Sequence, residues 1–216
     1  MSDENSTSGE HKPEFDASSG WAARYATGDT PWDQGRPHPE LVAWVASLGS
    51  GDRGRALVPG CGRGHDAVFL AESGFDVTAV DFAEGLTDTL GPALAALGSR
   101  YVEADALAFD EGGFDLVFEH TFFCAIPPER RGDWGALVRR ALRPGGRLAV
   151  LVFPADKPRS EGGPPHRTTL EDLSQALGLS TGPGGGFRVV EERPVATPIA
   201  TRAWAERWAL FERLNG

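Results

Sequence analysis

Arg55-Ala-Leu-Val-Pro-Gly-Cys-Gly-Arg-Gly-His-Asp66 is the stretch that decides the fold of this chain. The apolar run Ala56 to Val58 leads directly into glycines at 60, 62 and 64. Ala67, Val68, Leu70 and Ala71 then occupy the apolar positions of an amphipathic helix. A strand, a glycine-rich turn and a helix start form the local architecture that receives a nucleotide-like cofactor. Glycine is needed there because the backbone bends sharply and a ligand approaches where a Cβ would collide. A second strand, Asp76-Val-Thr-Ala-Val80, ends in Asp81, 21 residues after Gly60. That spacing puts a carboxylate beside the ligand, able to accept hydrogen bonds from both hydroxyls of a ribose.

Glycine spacing separates two cofactor classes. A dinucleotide fingerprint, G-x-G-x-x-G/A, needs a small residue at position 65, which is His. The pattern present, G-x-G-x-G, resembles the first motif of S-adenosylmethionine (SAM) methyltransferases. An NAD-linked oxidoreductase is disfavoured further because Tyr25 and Tyr101 are the only tyrosines and neither belongs to a catalytic Tyr-Lys pair.

At 216 residues the chain is expected to form one α/β domain with a full core. A formal net charge of -10 with scattered arginines argues against nucleic acid as a partner. No apolar stretch approaches the ~20 residues of a membrane span, so no membrane partner is expected. Cys61 and Cys124 are far apart and form no CxxC, which makes a metal site unexpected. The expectation is a monomer in the reducing cytoplasm.

Residues 1–18, rich in Ser, Glu, Asp and Gly, read as a disordered tail, and 19–216 as the single domain. Trp21 to Tyr25 reads as a helical turn, and Thr30 to Pro39 as an aromatic, proline-rich loop. A helix is expected over 41–48. Strands are expected at 55–59, 76–80, 100–103, 114–119 and 147–153, with helices at 65–73, 84–97 and 129–142. Arg143-Pro-Gly-Gly146 reads as the turn into the fifth strand. This alternation implies a parallel sheet with right-handed crossovers. Further on come a helix over 169–177, a flexible glycine turn at 182–186 and a strand over 187–192. Ala203 to Leu214 reads as helix by propensity alone.

A cofactor in such a sheet lies outside the carboxyl ends of the strands. Asp105, following the third strand, either accepts a hydrogen bond from an adenine amino group or caps the next turn. The fourth strand delivers Glu119 and His120 to the same edge, where His120 is either a proton acceptor or a hydrogen-bonded structural histidine. Phe122, Phe123, Ile126 and Phe153 either line a substrate pocket or belong to the core.

Five motifs occur here in order: Thr30-Pro-Trp-Asp-x-Gly, Val58-Pro-Gly-Cys-Gly-x-Gly, Phe122-Phe-Cys-Ala-Ile, Gly145-Gly and Gly162-Gly-Pro-Pro165. Together they resemble the thiopurine methyltransferase family, most closely its thiol and halide methyltransferase branch, over residues 21–213. The resemblance implies a Rossmann-like class I methyltransferase fold: a mostly parallel seven-stranded α/β sheet with helices on both faces. It also implies an edge strand near Arg207–Phe211, against local propensity. Residues 19–50 would cover the cofactor, SAM, with Trp32 against its methionine end and Asp33 orienting the loop. The cofactor would lie against Trp21, Trp32, Gly60, Gly62, Gly64, Asp81, Asp105, Ala106 and Glu119. An aromatic face attracts a sulfonium by cation–π interaction, which favours that role for Trp32 over a simple loop anchor. The branch often has Tyr after Gly-Gly-Pro-Pro, whereas this chain has His166, which is either a base for an incoming thiol or a loop residue. The expected reaction is methyl transfer from SAM to a small-molecule thiol. A halide or oxygen methyltransferase and a non-catalytic SAM-binding module are the alternatives.

Overall fold

A computed structural model of the chain describes residues 17–83, 85–179 and 186–215. The apolar runs form strands β1 (Arg55–Pro59), β2 (Asp76–Asp81), β3 (Arg100–Glu103), β4 (Phe114–His120) and β5 (Leu142–Val152), paired in parallel. Two further strands, β6 (Phe187–Pro194) and β7 (Arg207–Arg213), complete a seven-stranded sheet in the order β3-β2-β1-β4-β5-β7-β6. β7 runs antiparallel to both of its neighbours.

Both faces of the sheet are covered, and this is why the inner strands read as continuous apolar runs rather than alternating ones. Successive side chains still point to opposite faces. From β1, Ala56 and Val58 join the layer made by α2 (Pro39–Ser47), α3 (His65–Glu72) and α4 (Leu86–Ala95). Leu57 joins the opposite layer, with Trp134, Leu137 and Val138 of α5 (Arg131–Ala141) and Leu173 of α6 (Leu170–Ala176). The chain leaves β1 toward β2 on one side, while β4 lies on the other. The crevice at the carboxyl ends of β1 and β4 is therefore the place where an open α/β sheet binds its ligand.

Over 203–214 the strand implied by the resemblance holds and the helix read from propensity does not: Arg207–Arg213 is β7, with Trp208 and Leu210 buried in one layer and Ala209 and Phe211 in the other. Its expected place at the edge is corrected, because β6 pairs outside it and takes the edge. The turn expected at 143–146 is instead the irregular entry of β5, whose pairing with β4 shifts register between Phe114 and Leu116. The helical turn expected at Trp21–Tyr25 is present as part of an 11-residue helix, α1 (Ala17–Thr27), which takes in Ala17 and Ser18 of the segment read as a tail. Residues 1–16 and 180–185, the latter holding all but the last residue of the expected glycine turn, lie outside the described residues. Among the described residues no helix is long and apolar enough to cross a membrane.

Candidate functional site

The glycines after β1 all adopt positive φ: +61° at Gly60, +52° at Gly62 and +78° at Gly64. Each lies close to a side chain. A Cβ at Gly60 would collide with the Phe122 ring and one at Gly64 with Leu90, while one at Gly62 would stand 2.8 Å from Tyr25 Oη. The turn is held by the neighbouring strand end. Asp81 Oδ2 accepts from Gly62 N at 2.8 Å, and Oδ1 from Ala83 N at 2.9 Å. Burial raises the Asp81 pKa above the usual carboxylate value. The Asp81 carboxylate, with about four acceptor sites, keeps capacity to spare, and the residue borders a cavity of about 630 Å³.

That cavity runs from Asp105, Ala106 and Leu107 past Asp81 and the glycine turn to Trp21, Tyr25 and Trp32, and on to Phe122, Ile126, Phe153 and Arg202. At one end Asp105 caps the following turn, its Oδ1 accepting from Leu107 N at 2.9 Å, and still borders the cavity. Above the turn, Trp21 and Tyr25 of α1 meet the Trp32 ring edge-on, with centroids at 5.0 and 5.8 Å. Asp33 fastens the loop that carries Trp32. It accepts from Gly35 N at 2.8 Å, pairs with Arg63 Nε at 2.8 Å and lies 3.1 Å from His65 Nε2. Burial, reinforced by Asp81, pushes the Tyr25 hydroxyl up to about 12, so it stays protonated.

β4 ends in a strained corner. Thr121 has φ +63°, rare for a β-branched residue, and this corner delivers Phe122 to the glycine turn. His120 borders the cavity inside a network that sequence reasoning missed. Its Nδ1 lies 2.7 Å from Asp66 Oδ2, and its Nε2 lies 2.8 Å from Arg202 Nη2. A guanidinium only donates, so Nε2 is the acceptor and the ring proton sits on Nδ1, facing Asp66. Burial, partly opposed by Asp66, lowers the His120 pKa and keeps the ring neutral. Arg202 also pairs with Glu206 and lies over the Phe153 ring, 4.5 Å from its centroid. His38 completes the network: its backbone N–H donates to Asp66 Oδ1 at 2.8 Å, and its Nε2 is 3.4 Å from Glu206 Oε1. The ligating atoms of His38, His120 and Glu206 fall within 4.8 Å of one another, the geometry of a cation site. The Arg202 guanidinium, bonded to both His120 and Glu206, already supplies the positive charge there.

Three expected site residues are not on the cavity wall. Glu119 is buried beneath the corner, where its Oε1 accepts from Phe122 N and Phe123 N, both at 2.8 Å. Burial pushes its carboxyl up to about 7. Glu119 thus holds the β4 corner from beneath, off the cavity wall. Phe123 is wholly buried, edge-on to Trp134 at 4.7 Å, and is core. His166 donates its backbone N–H to Cys124 O at 2.7 Å, and its ring fills the space a side chain at Gly163 would take. Burial and then Arg131 lower its pKa, but it does not border the cavity and is not placed to take a proton from a bound acceptor.

The positive-φ turn with no room for a Cβ, the buried carboxylate with lone pairs to spare and the aromatic lid all fit SAM. Fold and cavity together define a class I SAM-dependent methyltransferase. Residues 16–90 match the family model for thiopurine S-methyltransferase, and residues 56–146 match that of a methyltransferase domain. Thiocyanate methyltransferase 1 of Brassica oleracea is 35% identical over 213 residues, covering 94% of this chain and 88% of the relative. A probable thiol methyltransferase 2 of Arabidopsis thaliana is 34% identical over 166 residues, 74% of this chain and 72% of the relative. The fold is shared with 1,6-didemethyltoxoflavin-N1-methyltransferase of Burkholderia thailandensis, at a TM-score of 0.69 and 23% identity over 92% of this chain and 87% of that one. The chain belongs to the thiopurine S-methyltransferase family.

Proposed function

We propose that this SAM-dependent S-methyltransferase acts on a small thiolate or a comparably soft anion such as thiocyanate. The observation that carries this reading is the far half of the cavity: an apolar wall of Phe122, Ile126 and Phe153 with one buried guanidinium, Arg202, set into it. Such a wall strips water from an anion, and the guanidinium offsets part of the cost of that burial.

When bound, SAM supplies a methyl group on a sulfonium, which an acceptor displaces in line. The residues of this chain do the aligning. Asp81 and the glycine turn fix the ribose side, and Trp32, fastened through Asp33, closes over the opposite end. Phe122 and Phe153 hold the acceptor out of water. Alignment of this kind is worth up to about 7–11 kcal/mol in favourable intramolecular systems. A thiol with pKa near ~8.5 is already a few per cent thiolate at neutral pH, so sulfur needs no protein base. The cavity agrees with this: His120 spends its Nε2 lone pair on Arg202, and burial pushes the Cys124 thiol up to about 12. The two free cysteines suit a reducing, cytoplasmic setting, in which we expect the chain to act as a monomer without metal.

A second reading, methylation of a hydroxyl, draws on the Asp66–His120 pair, which has the form of an oriented base. It requires Arg202 to leave Nε2. Transfer of labelled methyl from SAM to thiols, thiocyanate, iodide and phenols tests the proposal. Turnover of thiols and soft anions is expected, and turnover confined to phenols would overturn it.

A further inference from the structure

Arg63 stands in the middle of the glycine turn, between Gly62 and Gly64, with its side chain directed at the lid. Its Nε lies 2.8 Å from Asp33 Oδ2, its guanidinium carbon lies 5.8 Å from the Tyr25 ring centroid, and it borders the cavity. Pairing through Nε leaves the two Nη amino groups, a fork that accepts a carboxylate through two parallel hydrogen bonds.

The donor has an adenosine half and a zwitterionic amino-acid half. With adenosine at Asp81 and Asp105, the amino-acid half falls on the lid side of the turn, beneath Trp32. A carboxylate arriving there meets Asp33 and Asp81 and needs a cation. The other guanidiniums on the wall are placed for other tasks. Arg202 is held by Glu206 and His120, and Arg130 by Asp133. Arg24 pairs with Asp29 and lies over the Trp32 ring at 4.6 Å, while Arg36, exposed like Arg63, has no ion pair among the described residues to hold it as Asp33 holds Arg63.

We infer that Arg63 binds the α-carboxylate of the methyl donor and of its product, held in place for that contact by Asp33. The inference rests on the SAM-dependent reading above and names the residue that recognises the amino-acid end.

Calorimetric binding of two ligands tests it without turnover. S-adenosylhomocysteine carries the carboxylate, while S-adenosyl-3-thiopropylamine keeps the amine and lacks only that group. Wild type should bind the first more tightly. Arg63→Gln should weaken S-adenosylhomocysteine roughly 10- to 100-fold, the scale of losing hydrogen bonds to a charged group, and change the decarboxylated ligand less than twofold. Binding of the decarboxylated ligand also reports that the turn is intact. Equal loss for both ligands would overturn the inference, as would a selective loss in Arg24→Gln instead. Wild type that does not distinguish the two ligands overturns it while leaving the donor reading intact. Wild type that binds neither overturns the donor reading itself.

Discussion

Asp81 is the residue on which the donor site turns. Its two oxygens accept backbone N–H groups from Gly62 and Ala83, so removing the carboxylate loosens the turn as well as the ribose contact proposed for it. Asp81→Ala is expected to weaken S-adenosylhomocysteine binding at least ~10-fold by calorimetry, the scale of losing hydrogen bonds to a charged group; unchanged affinity would contradict the ribose assignment. Glu119 makes a different prediction. Its folded-state value of about 7 lies above the ~4.3 of an unfolded chain, so its proton favours the fold. That contribution is complete below about pH 4 and is lost as pH rises through about 7. Urea midpoints should therefore fall from pH 5 to 8 more steeply in wild type than in Glu119→Gln; parallel curves would show that Glu119 does not titrate there. Asp81 and the glycines were legible in the sequence because the turn and the next strand end are local features. The polar network was not. His38 and Asp66 are 28 residues apart and His120 and Arg202 are 82 apart, and only the folded sheet brings them together. A clue did exist in Arg202 and Glu206, spaced four apart and ending as a buried pair.

At the scale of elements, β7 shows where propensity fails. Alanine, glutamate and leucine favour a helix over 203–214, yet Trp208 to Phe211 are all buried, Trp208 and Leu210 facing one layer and Ala209 and Phe211 the other. The deciding fact is tertiary: β5 and β6 offer unpaired edges on either side, and β7 satisfies both. Trp208 is wholly buried against α2, where Trp44 lies 5.7 Å away. Trp208→Ala should cost about 3–5 kcal/mol in denaturant unfolding, the usual range for removing a buried aromatic. A loss under about 1 kcal/mol would mean the strand is peripheral. His166 shows the opposite limit: the motif order was readable, but not which way a loop side chain turns. Its backbone N–H is bonded to Cys124 O, and its ring packs at Gly163, off the cavity wall.

For the whole molecule, the alternation of strands and helices was enough to reveal a parallel sheet, and the sheet's order puts the crevice at β1 and β4. The glycine turn, the lid and the β4 corner converge there, and Arg202 arrives from the loop before β7. The central claim is that this convergence methylates an acceptor already ionised in solution, with no protein base. The direct measurement is the pH dependence of kcat/KM for two thiols whose pKa values differ by about two units, both within the pH range where the protein is stable. With no protein base, each profile rises and levels at the acceptor's own pKa, so the midpoint moves with the thiol. A midpoint that stays at one pH for both thiols would mean that a group on the protein, foremost His120 with Asp66, takes the proton.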